Sequence, residues 1–306
     1  MKVLLLLLLV SSFCVSSFAS NNCDDSIVVC QFNMRCAAKN DGRVISEKIV
    51  NGKKVQKRDG THPWGKRMPL IQNFLRYHDV DICGSQEMFK KQVEAMRRDM
   101  SDVYEIFGTT TIPSRDKINR ANHNNVIFYK RDRFELLESG VFWLSETPEK
   151  ESAGWGAEYP RNCNWGKFKD KKTGKIFFYF NTHFHHKGDN VRVESAKLFT
   201  KKIKEIAGDN TFYATGDLNA TPDSEPIKIL KDSGFMIDAS KICKTPLYGA
   251  DWTLNAGYSG KKSKWIDWVF VSKDVVIEKF AVFADCINGV WLSDHFPLVV
   301  KAKIEN

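Results

Sequence analysis

Short apolar runs recur along this chain and close on polar residues, and that pattern limits the folds open to it more than any other. Ser26–Asn33 reads Ser-Ile-Val-Val-Cys-Gln-Phe-Asn, Asp81–Gly84 runs into Ser85-Gln86-Glu87, and Thr211–Ala214 runs into Gly216-Asp217. Further runs lie at 125–129, 134–142, 265–271 and 296–302, while Lys167-Phe168 and Ile176–Phe180 flank Thr173-Gly174 in the manner of a hairpin. Runs of this length bounded by turn residues predict strands. Other stretches repeat apolar residues at helical spacing: 66–78 through Met68, Ile71, Phe74 and Leu75; 88–98 through Val93 and Met96; 191–207 through Val193, Ala196, Phe199, Ile203 and Ile206. Many strands joined by short turns, with two groups of helices, predict a layered α/β sandwich and not a simply alternating parallel sheet. Segments 36–65 and 144–165 lack periodicity and are expected to be surface loops. The first would be a basic rim holding Lys39, Arg43, Lys48, Lys53, Lys54, Lys57 and Arg58.

The chain begins with Met1-Lys2, a leucine and valine run from Val3 to Val10, and Ser17-Phe18-Ala19. This predicts a signal peptide over residues 1–19, cleaved after Ala19, and a secreted or extracytoplasmic protein. No run is long enough to cross a bilayer, so no transmembrane anchor is expected. With 42% hydrophobic residues and no Pro/Gly/Ser-rich linker, residues 20–306 are expected to form one domain. The formal net charge of +9 favours polyanionic partners or acidic membrane surfaces. Cys14 leaves with the leader. The remaining cysteines, in an oxidising compartment, would form about two or three disulfides with a thiol left over, Cys243 with Cys286 being one candidate pair. Their spacing excludes a zinc cluster.

Polar signatures stand where apolar runs end: Asn33-Met-Arg35, Gln86-Glu87, Asn181-Thr-His183, Gly216-Asp-Leu-Asn219 and Ser293-Asp-His295. Asp267 lies inside Trp265-Ile-Asp-Trp-Val-Phe, where a buried carboxylate requires a partner, and a histidine would serve. Each signature alone has an ordinary reading: Asn33 or Glu87 as a cap, Asp217 and Asn219 as an Asx-turn before Thr221-Pro222, His183 as a strand histidine. In this order, over residues 26–304, they resemble the endonuclease/exonuclease/phosphatase superfamily, which includes deoxyribonuclease I-like nucleases, abasic-site endonucleases, bacterial sphingomyelinases and inositol polyphosphate phosphatases. The resemblance implies a four-layer α/β/β/α sandwich of two mixed, mainly antiparallel sheets flanked by helices. It also implies Glu87 as the main metal ligand, with Asn33 beside it and Asp294 nearby. Hard oxygen donors suit Mg²⁺, with Mn²⁺ or Ca²⁺ as alternatives. His295 resembles the histidine that activates the attacking water, and Asp267 its orienting partner. Asp217 and Asn219 resemble the pair that positions that water and a non-bridging phosphate oxygen. His183 resembles the histidine that donates to phosphate or protonates the leaving oxygen. Arg35, Arg161, His186 and Arg192 are candidate substrate contacts.

The nearest resemblance is to secreted bacterial-type members whose pattern reads Thr-His-Phe-Asp-His. Here Thr182-His-Phe-His-His186 puts His185 in place of the acid, and those proteins lack much of the 39–62 segment. Asn219-Ala-Thr221 is a glycosylation sequon expected to stay unmodified. The substrate is expected to be a phosphate ester hydrolysed by a monomer. The basic balance favours a nucleic-acid phosphodiesterase. A small sugar, inositol or nucleotide phosphate is the alternative, enclosed by Trp143, Trp155, Tyr159, Arg161 and Trp165. A sphingomyelinase-like lipid diesterase is disfavoured because no exposed apolar hairpin is legible. A binding protein without turnover is the reading from a different class.

Overall fold

Alternation along β1 (Ile27–Asn33) shows how the layers arise. Ile27 and Val29 join one core with Tyr179, Tyr213 and Val269, whereas Cys30 and Phe32 join another with Ile71, Leu75 and Met96. Successive strand residues point to opposite faces, so β1 is covered on both sides. The computed structural model describes residues 24–37, 41–108 and 124–305; the expected leader, Cys23 and Lys39 lie outside them.

The chain continues through β2 (Val44–Val50), β3 (Lys53–Arg58), α1 (Trp64–Tyr77), β4 (Ile82–Met88), α2 (Lys90–Asp99), β5 (Tyr104–Phe107), β6 (Asn124–Lys130), β7 (Phe134–Trp143), β8 (Asn162–Asp170) and β9 (Ile176–His183). Then follow α3 (Asp189–Ala207), β10 (Phe212–Asp217), α4 (Glu225–Asp232), β11 (Ile237–Asp238), β12 (Tyr248–Gly249), β13 (Asp267–Val271), β14 (Val275–Val282), β15 (Cys286–Ile287), β16 (Val290–Trp291) and β17 (Leu298–Ile304). One seven-stranded sheet has the order β12-β14-β17-β1-β4-β6-β5, and a six-stranded sheet has the order β11-β13-β10-β9-β8-β7. Pairing is parallel for β1 with β4, β9 with β10 and β12 with β14, and antiparallel elsewhere. The two sheets face each other across the first core. Helices α1 and α2 cover the seven-stranded sheet, and α3 and α4 cover the other, with Phe199, Ile203, Ile227 and Leu230 packed on Phe178, Phe180 and Phe212. This is the four-layer sandwich that the resemblance implied. Close approach of the sheets depends on Gly84, where an added Cβ would lie 2.3 Å from Thr215 Oγ1.

Several expectations need correction. Segment 36–65 is not merely loop: β2 and β3 form a hairpin, turned by Asn51 and Gly52 at φ 50° and 72°. Positive φ at both central residues matches the twist of a two-residue hairpin, and Asn-Gly is the pair that adopts it best. Ile45, Ile49, Val50 and Val55 on this hairpin are exposed, so the premise that disfavoured a lipid surface fails. Segment 144–165 gives its last residues to β8. Trp143 is core, and Trp165 packs against Phe178 and over Gly140, so neither encloses a ligand. Helix α4 and strand β14 went unread: α4 is short and carries Pro226 in its first turn, and β14 follows β13 after only Ser272–Asp274. Cys30, Cys36, Cys83, Cys163, Cys243 and Cys286 are free thiols, so no disulfide joins any two of them, the Cys243–Cys286 pair included. Among the described residues no helix is long and apolar enough to cross a membrane.

Candidate active site

The inner rows of the sandwich turn polar at one edge. On β9 the inward series runs Phe177, Tyr179, Asn181, His183; on β10 it runs Tyr213, Thr215, Asp217; on β13, read backwards, it runs Val271, Val269, Asp267. Register then aligns the last of each, because His183 pairs with Asp217 and Asp217 with Asp267 across neighbouring strands. From the facing sheet, β1 ends on Asn33 and β4 delivers Glu87, and these strands are also in register at Asn33 and Gln86. His295 enters from the turn before β17. Behind this row, Gln31, Gln86 and Asn181 form a buried amide chain, with Gln31 Nε2 donating to Gln86 Oε1 (2.7 Å) and Asp267 Oδ1 (3.2 Å), and Gln86 Nε2 to Asn181 Oδ1 (2.7 Å). Polar groups this deep need such partners, and the chain ties the two sheets at the site's floor.

Asp217 is the hub, 1% exposed. Its Oδ2 accepts from Asn33 Nδ2 at 3.0 Å and lies 3.2 Å from His183 Nε2 and 3.7 Å from His295 Nε2. Its Oδ1 accepts from the Asn219 backbone N–H at 3.0 Å. Burial opposes the Asp217 charge, but the imidazoles of His183 and His295 and the Asn33 amide outweigh it and hold the carboxyl at about 2. His295 Nδ1 lies 2.8 Å from Asp267 Oδ2. Burial disfavours the His295 imidazolium, yet the Asp267 and Asp217 carboxylates prevail and hold the ring well above the ordinary histidine range. Arg161 NH1 donates to His183 Nδ1 at 2.9 Å. A guanidinium can only donate, so Nδ1 is the acceptor and the His183 proton sits on Nε2, aimed at Asp217. That tautomer favours the first of the two roles considered for His183, a hydrogen-bond donor to phosphate.

Glu87 Oε1 accepts from Asn33 Nδ2 at 3.1 Å. Donor atoms of Glu87, His183 and Asp217 lie within 4.8 Å of one another, as do those of Asp217, Asp267 and His295. The Glu87 and Asp217 carboxylates and the Asn33 amide are hard donors, a set that fits Mg²⁺. The Asn33 amide now turns its nitrogen to both carboxylates, while its oxygen accepts from the Arg35 backbone N–H at 3.0 Å. Its positive end thus stands where the carboxylates converge. Asp294 is in neither donor group; its Oδ2 accepts from Arg35 NH1 at 2.5 Å. Arg35 also reaches Asp41 at 3.1 Å, and Asp41 takes a hydrogen bond from Tyr258 at 2.7 Å, a buried network that sequence reasoning missed. Arg35, Glu87 and Asn219 adopt φ of 52°, 66° and 48°. A left-handed backbone at such residues costs on the order of 1 kcal/mol each, and the packed sheets impose it where side chains must turn into the site.

The remaining candidates divide. Tyr159 lines the site beside Arg161, whose guanidinium carbon sits 5.0 Å from the Tyr159 ring centre. The Tyr159 hydroxyl is 2.7 Å from His186 Nδ1, and His185 lies against the same ring at 4.6 Å. Arg161 Nε and His185 Nε2 are buried with no hydrogen-bond partner among the described residues. Arg192 turns away, to the His185 carbonyl and Asp189. Asn219 donates Nδ2 to the Phe184 carbonyl at 3.1 Å, which occupies the atom a glycan would need. Nothing in the sequence marked Arg161 as the partner of His183; that pairing follows from β8 lying beside β9, which only the sheet order reveals.

A model of the Endonuclease/Exonuclease/phosphatase family matches residues 30–295. An uncharacterized protein of Acanthamoeba polyphaga mimivirus is 27% identical over 256 residues, 78% of this chain and 92% of its own length. The solved endonuclease/exonuclease/phosphatase of Bacteroides vulgatus is 31% identical with a TM-score of 0.79, covering 92% of this chain and 99% of its own. A mannosyl-6-phosphatase of Bacteroides thetaiotaomicron is 32% identical with a TM-score of 0.78, covering 91% and 100%. With its sheet-edge carboxylates, amide and histidines in place, the chain belongs to the endonuclease/exonuclease/phosphatase family of phosphoesterases.

Proposed function

We propose that this protein is an exported, divalent-metal-dependent hydrolase of phosphate esters of a small sugar or inositol ring. The observation that carries the chemistry is the line Asp267–His295–Asp217, with His295 held by Asp267 at 2.8 Å and its other nitrogen turned to Asp217 at 3.7 Å. Glu87 would hold the cation, with the Asn33 amide beside it, and the ion would supply positive charge against the phosphate oxygens. His295 Nε2 takes a proton from water as that water's oxygen bonds to phosphorus, and the basicity conferred by Asp267 keeps the proton on the ring. The bond from phosphorus to the ester oxygen breaks, the released alcohol taking its proton from solvent. Asp217 and Asn219 orient the water. His183 and Arg161 donate toward charge developing on the phosphoryl oxygens, in a buried setting where such donors are strongest.

Two observations support a small ester over nucleic acid. Lysines that favoured a polyanion in the sequence stand on a hairpin among exposed Ile and Val residues and do not line the site. Beside the site, Arg161, Tyr159, His185 and His186 form a wall of aromatic faces and buried donors suited to a sugar ring, and one relative in the same fold is a mannosyl-6-phosphatase. The test is a panel of mannose 6-phosphate, inositol phosphates, plasmid DNA, RNA and sphingomyelin, each with Mg²⁺ and with chelator. Fastest metal-dependent phosphate release from the sugar or inositol esters is expected. Cleavage of DNA or RNA with the small esters left intact would contradict the substrate assignment.

A further inference from the structure

Four β-branched residues crowd one hairpin: Ile45 is 56% exposed, Ile49 68%, Val50 40% and Val55 43%. Single exposed aliphatics need no explanation, but a cluster does. Register places Ile49 opposite Lys54, with Glu47 and Gln56 on the same face, and Lys48 opposite Val55, with Val50 on that second face. Apolar and basic residues therefore mix on both faces, and neither face packs on the body. A two-stranded ribbon in water is marginally stable, so such a ribbon is suited to a medium that surrounds it. Exposed Arg43, Lys48, Lys54 and Lys57 give the hairpin a positive charge, reduced by Glu47, which pairs with Lys54 at 2.8 Å, and by Asp59 beside Arg43 at its root.

From this we infer that the β2–β3 hairpin docks the protein on an anionic lipid surface, its lysines meeting acidic headgroups and Ile45, Ile49, Val50 and Val55 entering among the lipids. A protein partner or a second copy would cover one face and leave the other apolar residues in water. Nucleic acid would reward the lysines but has no use for the aliphatics, since its bases stack on aromatic rings. Headgroups and acyl boundaries accept both kinds of residue on both faces. The root of the hairpin bears on the site: Arg58 donates to the Gly42 carbonyl at 2.8 Å, beside Asp41, which holds Arg35 and through it Asp294. Docking thus anchors the enzyme by the side that carries its reaction centre, whichever ester it hydrolyses.

Sedimentation with vesicles of phosphatidylcholine, alone or mixed with phosphatidylserine, tests this on the full chain. Wild-type protein is expected to sediment with the mixed vesicles, far less with phosphatidylcholine alone, and to be released by high salt. The double variant Ile49→Ser/Val55→Ser should lose about tenfold or more of its partitioning. Its turnover of a soluble ester and its thermal unfolding should stay unchanged, because both residues are exposed. Lys48→Glu/Lys57→Glu should abolish the dependence on phosphatidylserine. Equal sedimentation of wild type and the Ser variant overturns the inference. So does a concentration-dependent dimer that Ile49→Ser dissolves, and so does plasmid binding that the Glu variant loses while no vesicle binding is seen.

Discussion

At the scale of single residues, the site works through which atom of each ring carries the proton. Arg161 fixes His183 as the Nε2–H tautomer, and Asp267 holds Nδ1 of His295, the proposed base. Replacing Asp267 with Asn removes the charge that favours the His295 imidazolium while keeping a similar shape. Turnover is expected to fall by about 10²–10⁴-fold, the usual worth of a positioned general base. The sign of the pH effect follows: Asp267 raises the basicity of His295, so Asp267→Asn should move the acid limb of the pH–rate profile to lower pH. An unmoved limb, measured on folded protein, would detach Asp267 from His295. The polar stations were legible in sequence because each is the last inward residue of an apolar strand, where a buried polar group has no ordinary reason to be. Arg161 was legible only as a candidate substrate contact and His185 only as a replaced acid; that Arg161 meets His183 and His185 meets Tyr159 depends on what neighbouring segments bring beside them.

At the scale of elements, buried ionic and glycine contacts hold the strand ends in place. Arg67 of α1 is fully buried, with Nε donating to the His62 carbonyl and NH1 to those of Met34 and Leu292 at 3.0, 2.8 and 3.1 Å. It clamps the segments that follow β1 and precede β17, which carry Arg35 and His295. Arg67→Met leaves those carbonyls without this donor and removes one of the cations facing the buried Asp41 carboxylate, and unfolding in urea should show a loss of about 3–5 kcal/mol. Gly84→Ala pushes a methyl group into Thr215 and Asn181, and a cost of about 1–3 kcal/mol is expected from the same measurement. Helices α1, α2 and α3 were readable from their apolar spacing. The β2–β3 hairpin was hidden because its apolar residues do not alternate with polar ones toward any core; only Asn51-Gly52 announced it. Helix α4 offers too few apolar positions to show a period.

Over the whole molecule, the fold is a sandwich whose interior changes from apolar to polar toward one edge, and the layers were legible because strand and helix periods follow one another without ambiguity. The order of strands was not, since pairing depends on contacts between distant segments. Burial of titratable groups also sets a global pH response. His62 is fully buried against Tyr258, and burial holds its pKa below the ordinary value. An unfolded histidine titrates near about 6.5, so His62 contributes stability that is full above that pH and is lost as pH falls below it. The urea midpoint of His62→Gln should therefore drop less than that of wild type between about pH 7.5 and about pH 5.5. His295 shifts in the opposite direction but is common to both proteins and cancels in the comparison.

The convergence of Glu87, Asp217 and His295 into one metal-dependent reaction centre is tested most directly by phosphate release from a sugar phosphate. Wild type, Glu87→Ala and His295→Ala would be compared with Mg²⁺ and after chelation, each verified as folded by its unfolding transition. Turnover is expected only from wild type with the metal. Near-normal release by either variant, or by wild type stripped of divalent ions, would contradict that account.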